Sequence, residues 1–320
     1  MAILDVQDLS IYYSIGRGVV RAAEGVSFQL EKGEAMGLAG ESGCGKTTVA
    51  LSLLKILPTN GKIVNGKIVV NGVDVVGLSE NEMRKEIRWK IVSMVFQGAM
   101  NAMNPLYKVG EQIVEAIKLH EPQVTRTEAK ERTGKLLEMV GIDPARGDNY
   151  PHEFSGGMKQ RALIAMSLAN NPNLVIADEP GTALDVIVQA QVLRLMKELK
   201  ERLNLSLIVI SHDLSLIAEI CQKLAIMYAG YLVEYGDIVK IFKQPMHPYT
   251  VDLINSFPSI KAAKQEMLSI PGFPPDLLNP PPGCRFHPRC KYAMDICRKE
   301  VPKLLEVSKG HFVHCHLVKR

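Results

Sequence analysis

Residues 40–47 read Gly40-Glu41-Ser42-Gly43-Cys44-Gly45-Lys46-Thr47, the G-x-x-x-x-G-K-[ST] spacing of a phosphate-binding loop. Glycines let backbone N–H groups turn inward around a phosphate chain. In such a loop Lys46 reaches the β- and γ-phosphates and the Thr47 hydroxyl holds Mg²⁺. Upstream, the apolar stretch 34–39 predicts a short buried strand; downstream, 48–57 predicts a helix stopped by Pro58. Strand, glycine loop and helix are the order that this chemistry needs, because the helix N-terminus adds its positive dipole end to the site. An ordinary glycine-rich turn is the competing reading, and the flanking elements speak against it.

The chain around this loop has 320 residues, long enough for one large domain or two smaller ones, and its 47% apolar content suits a sizeable core. Net charge is only +4 and no Lys/Arg-rich arm is present, which argues against a nucleic-acid partner. The N-terminus lacks a basic region followed by an apolar run, so no signal peptide is expected. Two stretches, 91–107 and 162–177, are free of charge. Gln97, Asn101, Asn104 and Pro105 interrupt the first, and Asn170-Asn171-Pro172-Asn173 the second, so neither predicts a membrane span. Cys44 and Cys221 stand alone, whereas Cys284, Cys290, Cys297 and Cys315 fall together near the C-terminus. Clustered cysteines in a cytoplasmic chain suggest metal more than disulfides.

Residues 3–75 read as short strands and turns, with Val26-Ser27-Phe28-Gln29-Leu30 alternating and Lys32-Gly33 a turn. Helical spacing runs over 80–90 and 110–141, closed by Gly141 and Pro144, and again over 156–169 and 186–203. The continuous apolar runs 174–177 and 205–210 predict strands buried on both faces. Strands alternating with helices predict an α/β fold with a largely parallel core. Six of the twelve residues 271–282 are proline, which predicts a stiff connector to a tail at 283–320.

Asp178 and Glu179 follow the strand 174–177 directly. An acid there is placed to bind Mg²⁺, and its neighbour to polarise a water for attack on a γ-phosphate. An acidic pair opening a loop is the ordinary alternative, and the upstream phosphate loop outweighs it. Ser155 before Gly156-Gly157 is a good helix cap, and two glycines there leave N–H groups open to an anion.

Taken in order, the phosphate loop, Ser155-Gly156-Gly157-x-x-Gln160, the strand ending Asp178-Glu179, Ala183-Leu184-Asp185, and Ser211-His212 resemble an ABC transporter ATPase over about residues 3–245. The resemblance implies a P-loop NTPase with a RecA-like core, an N-terminal antiparallel β part and a helical subdomain at about 99–165, all within a nucleotide-binding domain at 1–250. It implies that two such domains pair head to tail around two ATP molecules. Gly40, Ser42, Gly43, Cys44, Gly45, Lys46, Thr47 and Thr48 then cradle ATP, while Ser155, Gly156, Gly157 and Gln160 serve the partner's site. Gln97 matches the glutamine that senses Mg²⁺ beside Thr47 and Asp178, Glu179 the base, His212 the switch histidine, and Asp185 the dimer loop. Tyr13 matches the aromatic that stacks on adenine, with Tyr12 as competitor and core packing open to either. The signature departs from the family in Phe154 and Met158, and the loop after Glu179 carries Gly181 where a hydroxyl is common.

Pro151-His152-Glu153-Phe154, Gln97 to Pro105, His247-Pro248-Tyr249-Thr250 and the cysteine tail narrow the resemblance to the dipeptide, oligopeptide and nickel importers, and within them to the D-type ATPase. That implies a cysteine-containing C-terminal domain at 251–320. It also implies a homologous second ATPase, two membrane permeases with the 98–110 surface facing them, an extracytoplasmic solute-binding protein, and a place on the cytoplasmic face of the membrane. Peptides are the expected solute, with nickel complexes and short sugars as alternatives. Some members of that branch carry an iron–sulfur cluster on these cysteines. Spacing does not show it: the gaps of 5, 6 and 17 residues match neither common ferredoxin runs nor zinc-finger pairs, and His311, His314 and His316 flank Cys315. A [4Fe–4S] cluster, zinc and reduced thiols stay open in that order. A soluble ABC ATPase acting on ribosomes or DNA is the rival class. One set of motifs and modest charge argue against it.

Overall fold

The computed structural model describes residues 2–98, 102–182, 184–256 and 270–318. The chain opens with the long antiparallel strands β1 (Ala2–Ile15) and β2 (Gly18–Glu31), then β3 (Ala35–Ala39) and α1 (Lys46–Leu53). The strand β4 (Gly61–Val70) returns to β1, β5 (Val73–Asp74) pairs with β4, and a short α2 (Glu80–Glu82) leads to β6 (Val92–Val95). Three helices follow, α3 (Val109–His120), α4 (Arg126–Met139) and α5 (Gly156–Ser167). Next come β7 (Leu174–Asp178), α6 (Val186–Leu203), β8 (Ser206–Ile210), α7 (Leu214–Ile220), β9 (Lys223–Tyr228) and β10 (Tyr231–Asp237). The chain finishes with α8 (Ile238–Lys243), α9 (Pro248–Asn255), β11 (Leu304–Ser308) and β12 (His311–His314).

Two sheets result. The N-terminal one is antiparallel, in the order β2-β1-β4-β5, and the larger one runs β11-β12-β10-β9-β3-β8-β7-β6. Within the larger sheet β9, β3, β8, β7 and β6 are mutually parallel. Their side chains divide by the two-residue period of a strand. Met36, Leu38, Leu174, Ile176, Ile208 and Ile210 pack under α1 and the N-terminal sheet. Ala35, Val175, Ala177, Leu207 and Val209 pack against α3 to α7. Burial on both faces explains the uninterrupted apolar runs in these strands. The parallel order also brings the carboxyl ends of β3, β8, β7 and β6 to one edge, where open α/β sheets place their ligand sites.

Four sequence expectations change. The 80–90 helix is α only over Glu80–Glu82 and then widens into a π-turn, Met83–Ile87, closed by Arg88 N–H to Met83 O at 2.8 Å. The wide turn sets the Arg88 guanidinium on the carbonyls of Leu54 (2.8 Å) and Lys55 (3.0 Å), at the end of α1. The 110–141 helix is two helices, because Thr125 and Glu128 form a capping box that starts a new one. The tail does not stand apart as a small domain either. Its strands β11 and β12 extend the large sheet beyond β10, and Phe286 and Tyr249 sit in the main core. The proline-rich stretch packs as well: Leu277 O accepts the Arg21 N–H at 3.1 Å, and Leu277 lies against the core. Among the described residues no helix is long and apolar enough to cross a membrane.

Candidate active site

The loop after β3 turns on three glycines with positive φ, Gly40 (143°), Gly43 (78°) and Gly45 (106°). A Cβ on Gly40 would lie 2.1 Å from Met227 O, and one on Gly45 2.2 Å from Ala22 O, so only glycine fits at either position. Gly45 directly precedes α1, whose first residue is Lys46. The Lys46 side chain folds back over the loop, only 7% exposed, and its ammonium donates to Gly40 O (2.7 Å) and Glu41 O (3.0 Å). An ammonium held there by carbonyls is a preformed partner for a phosphate. The second loop residue, Glu41, is held from outside: its N–H donates to the Tyr249 hydroxyl at 3.0 Å, and its carboxylate takes a forked pair of bonds from Arg289 (2.7 and 3.0 Å).

Asp178 ends β7 and is 1% exposed. Burial raises its carboxyl pKa, a hydrogen bond from the Thr47 hydroxyl lowers it, Glu179 raises it and Lys46 lowers it. Its Oδ1 is buried with no hydrogen-bond partner. An orphaned carboxylate oxygen beside a threonine hydroxyl is the hard oxygen set that suits Mg²⁺.

Glu179 follows at φ 46°, and its N–H is bonded to Ile210 O at 2.9 Å. That left-handed step turns its carboxylate out of the sheet to meet three other groups. Gln97 Nε2 donates to Oε2 at 2.6 Å, Thr182 Oγ1 donates to the same oxygen at 2.9 Å, and His212 Nδ1 lies 3.7 Å from Oε1. Gln97 arrives from the end of β6 and His212, 67% exposed, from the end of β8, so the parallel edge gathers these three predicted residues. Thr182 was missed by sequence reasoning; its only signal was a hydroxyl three residues after the acid.

Tyr13 and Tyr12 separate cleanly. The Tyr13 hydroxyl donates to Thr48 Oγ1 at 3.3 Å, on the α1 side, whereas Tyr12 turns to Glu24 and Arg21. Ser155 caps α5 by accepting the Met158 N–H at 3.3 Å, and Asp185 caps α6 by accepting the Val188 N–H at 2.9 Å. The two capped ends meet closely, since a Cβ on Gly157 would lie 2.6 Å from the Val188 side chain. Among the described residues no hydrogen bond joins 155–157 to the phosphate loop. Gln160 departs from the expectation. It is 3% exposed, with Nε2 buried and unpaired, so it faces the interior of α5's packing rather than a partner. Ala183 and residues 99–101 of the expected permease-facing surface lie outside the described residues.

The four tail cysteines share a neighbourhood. Burial, helped by the other tail thiols, pushes Cys284 and Cys315 up to about 11. Yet among the described residues no three His, Cys, Asp or Glu side chains form a group that could hold a metal ion. Neither the iron–sulfur cluster nor zinc is supported by this arrangement.

Residues 23–182 match the family model described as ABC transporter, and residues 233–297 match that of the oligopeptide/dipeptide transporter C-terminal region. The chain is 45% identical to the oligopeptide transport ATP-binding protein OppD of Escherichia coli strain K12, over 98% of this chain and 93% of that protein. It is 43% identical to the dipeptide transport ATP-binding protein DppD of Caldanaerobacter subterraneus subsp. tengcongensis, over 98% and 97% of the two chains. Among solved structures it resembles the ATP-binding cassette MJ0796 in a dimeric post-hydrolysis state bound to ADP and Pi. That match has a TM-score of 0.65 at 25% identity and covers 73% of this chain and 98% of that one.

Proposed function

The chain belongs to the ABC transporter ATPase family, in the branch that carries the oligopeptide/dipeptide transporter C-terminal region, and from that premise we propose that it hydrolyses ATP to drive peptide import. Lys46 and the loop N–H groups bind the phosphates, Thr47 and Asp178 hold Mg²⁺ with Gln97 beside them, and Tyr13 stacks on adenine. Bound Mg²⁺ offsets the charge on the β- and γ-phosphates. Glu179 accepts the proton of the attacking water while Gln97 and Thr182 hold its carboxylate in place. His212 and Lys46 stabilise the charge that builds on the γ-phosphate. Ser155, Gly156 and Gly157 complete the site of a second, homologous ATPase, and Asp185 lies at the joint. Closure of that pair works two permeases through the surface near Gln97, on the cytoplasmic face of the membrane, and a solute-binding protein delivers the peptide.

The observation that carries this reading is the convergence of Gln97, Thr182 and His212 on Glu179, next to the orphaned oxygen of Asp178. Glu179→Gln keeps the shape of the side chain and removes the base. ATP affinity is expected to persist while turnover falls by about a hundredfold or more. Turnover undiminished in that variant would refute the assignment.

A further inference from the structure

We propose that the C-terminal segment positions the phosphate loop, with Arg289 and Tyr249 as a clamp on Glu41, so that nucleotide affinity depends on how this segment is seated. The Arg289 side chain is 5% exposed and forks onto both oxygens of Glu41, at 2.7 and 3.0 Å. It also donates to Pro271 O (2.8 Å), Ile270 O (3.3 Å) and the Tyr228 hydroxyl (3.3 Å), which fixes the fork from behind. Tyr249, fully buried, takes the backbone N–H of the same glutamate at 3.0 Å. Tyr228, Tyr249 and Phe286 pack ring on ring at 4.6 to 5.5 Å between centroids, so neither clamp group can move alone.

The other flank of the loop is pinned by the same segment. Arg285, four residues before Arg289, is buried and bonds to Glu24 and Ala229 O, and to Arg21 O at 3.3 Å. The next residue, Gly230, donates to Cys44 O at 2.9 Å, and the strand holding Arg21 and Glu24 supplies the Ala22 carbonyl that packs on Gly45. The carbonyl of Glu41 is in turn one of the two that hold the Lys46 ammonium. A shift of the tail therefore reaches the phosphate-binding lysine through one residue. Among the described residues no hydrogen bond or ion pair joins the clamp to the hydrolytic group around Glu179, so its effect falls on binding. Arg289 and Tyr249 are positioning residues for the nucleotide site, and the inference rests on that site binding ATP.

The test uses the full chain and equilibrium ATP binding, with steady-state ATPase kinetics of the assembled transporter. Arg289→Met is expected to weaken ATP binding about tenfold, within the usual span of coupling between sites, with the loss in KM rather than kcat. Arg289→Lys recovers part of it by restoring the charge without the fork. Glu41→Gln shows the same loss as Arg289→Met, and the double variant is no worse than either alone. By reciprocity, ATP slows amide exchange at Arg289 and Cys290 in the unmodified chain and not in Arg289→Met. Unchanged affinity in Arg289→Met, or losses that add in the double variant, overturns the clamp. If Arg289→Met does not fold, Glu41→Gln and Tyr249→Phe decide by the same affinity criterion. An unmodified chain that binds no ATP overturns the nucleotide assignment, a different result from a chain that binds ATP equally well with and without the clamp.

Discussion

At the scale of single residues, glycine at three loop positions has two different causes. Gly40 and Gly45 press on backbone carbonyls, so a methyl group has no room, whereas Gly43 has open space around it and is required by φ alone. The motif was legible without these neighbours, because a loop that wraps phosphate needs the same backbone in any fold. His247 shows the opposite case. The sequence marks it only as part of a family-like run, with no sign of its environment, yet it is fully buried, accepts the Tyr249 N–H at Nδ1 (3.1 Å), and donates its backbone N–H to Glu234. Burial, with a smaller push from His314, drops its pKa from 6.5 to about 3. Between those values the unfolded chain binds a proton that the folded one refuses. Its contribution is therefore intact above pH 6.5 and lost as pH falls toward 3, with a slope of about 1.4 kcal/mol per pH unit. Asn at this position keeps a capping oxygen and does not titrate. Urea unfolding of His247→Asn at pH 7 and pH 5 is expected to show a shallower acid loss than the unmodified chain, and equal losses would remove His247 as the cause.

At the scale of elements, local signals worked where one interaction decides the outcome. The capping box at Thr125 and Glu128 was present in the sequence, and it breaks what apolar spacing alone joins into a single helix. The Thr125 hydroxyl accepts the Glu128 N–H at 3.2 Å, and Glu128 returns a bond to the Thr125 N–H at 2.8 Å. Thr125→Ala is expected to cost about 1 kcal/mol and to speed amide exchange in the first turn of α4. An unchanged exchange rate there would mean that packing against α3 starts the helix. The π-turn at Met83–Ile87 was illegible for a converse reason. Its spacing is helical, and the extra residue per turn is set by Arg88 reaching the end of α1, a contact 34 residues away in sequence. The buried strands β7 and β8 were legible because burial on both faces forces an apolar run that few other elements show.

At the scale of the molecule, composition pointed to a tail hung on a stiff proline connector, and the fold joins that tail to the main sheet. Val313 and Phe312 pair with Glu234 and Tyr235 of β10, and His311 Nε2 bonds to the buried Glu234 at 2.8 Å. An independent domain would melt in its own step. A tail sharing one sheet with the core is expected to unfold with it, so calorimetry of the full chain shows one transition followed equally by probes in the core and at Cys297. Two separated transitions would restore the two-domain view.

The sequence by itself determined the phosphate loop, the acid pair, the capped signature helix and the buried strands β7 and β8. Each of these is a local pattern whose physics lies within a few residues: backbone freedom at glycine, a cap on an N–H group, apolar periodicity along one element. Tertiary structure alone decided that Gln97, Thr182 and His212 meet on Glu179, that Gln160 turns inward, and that the tail grips the loop. Arg289 and Glu41 are 248 residues apart. Nothing in either stretch signals the other, because the pair exists only once the sheet order has set β9 beside β3 and the tail beyond β10.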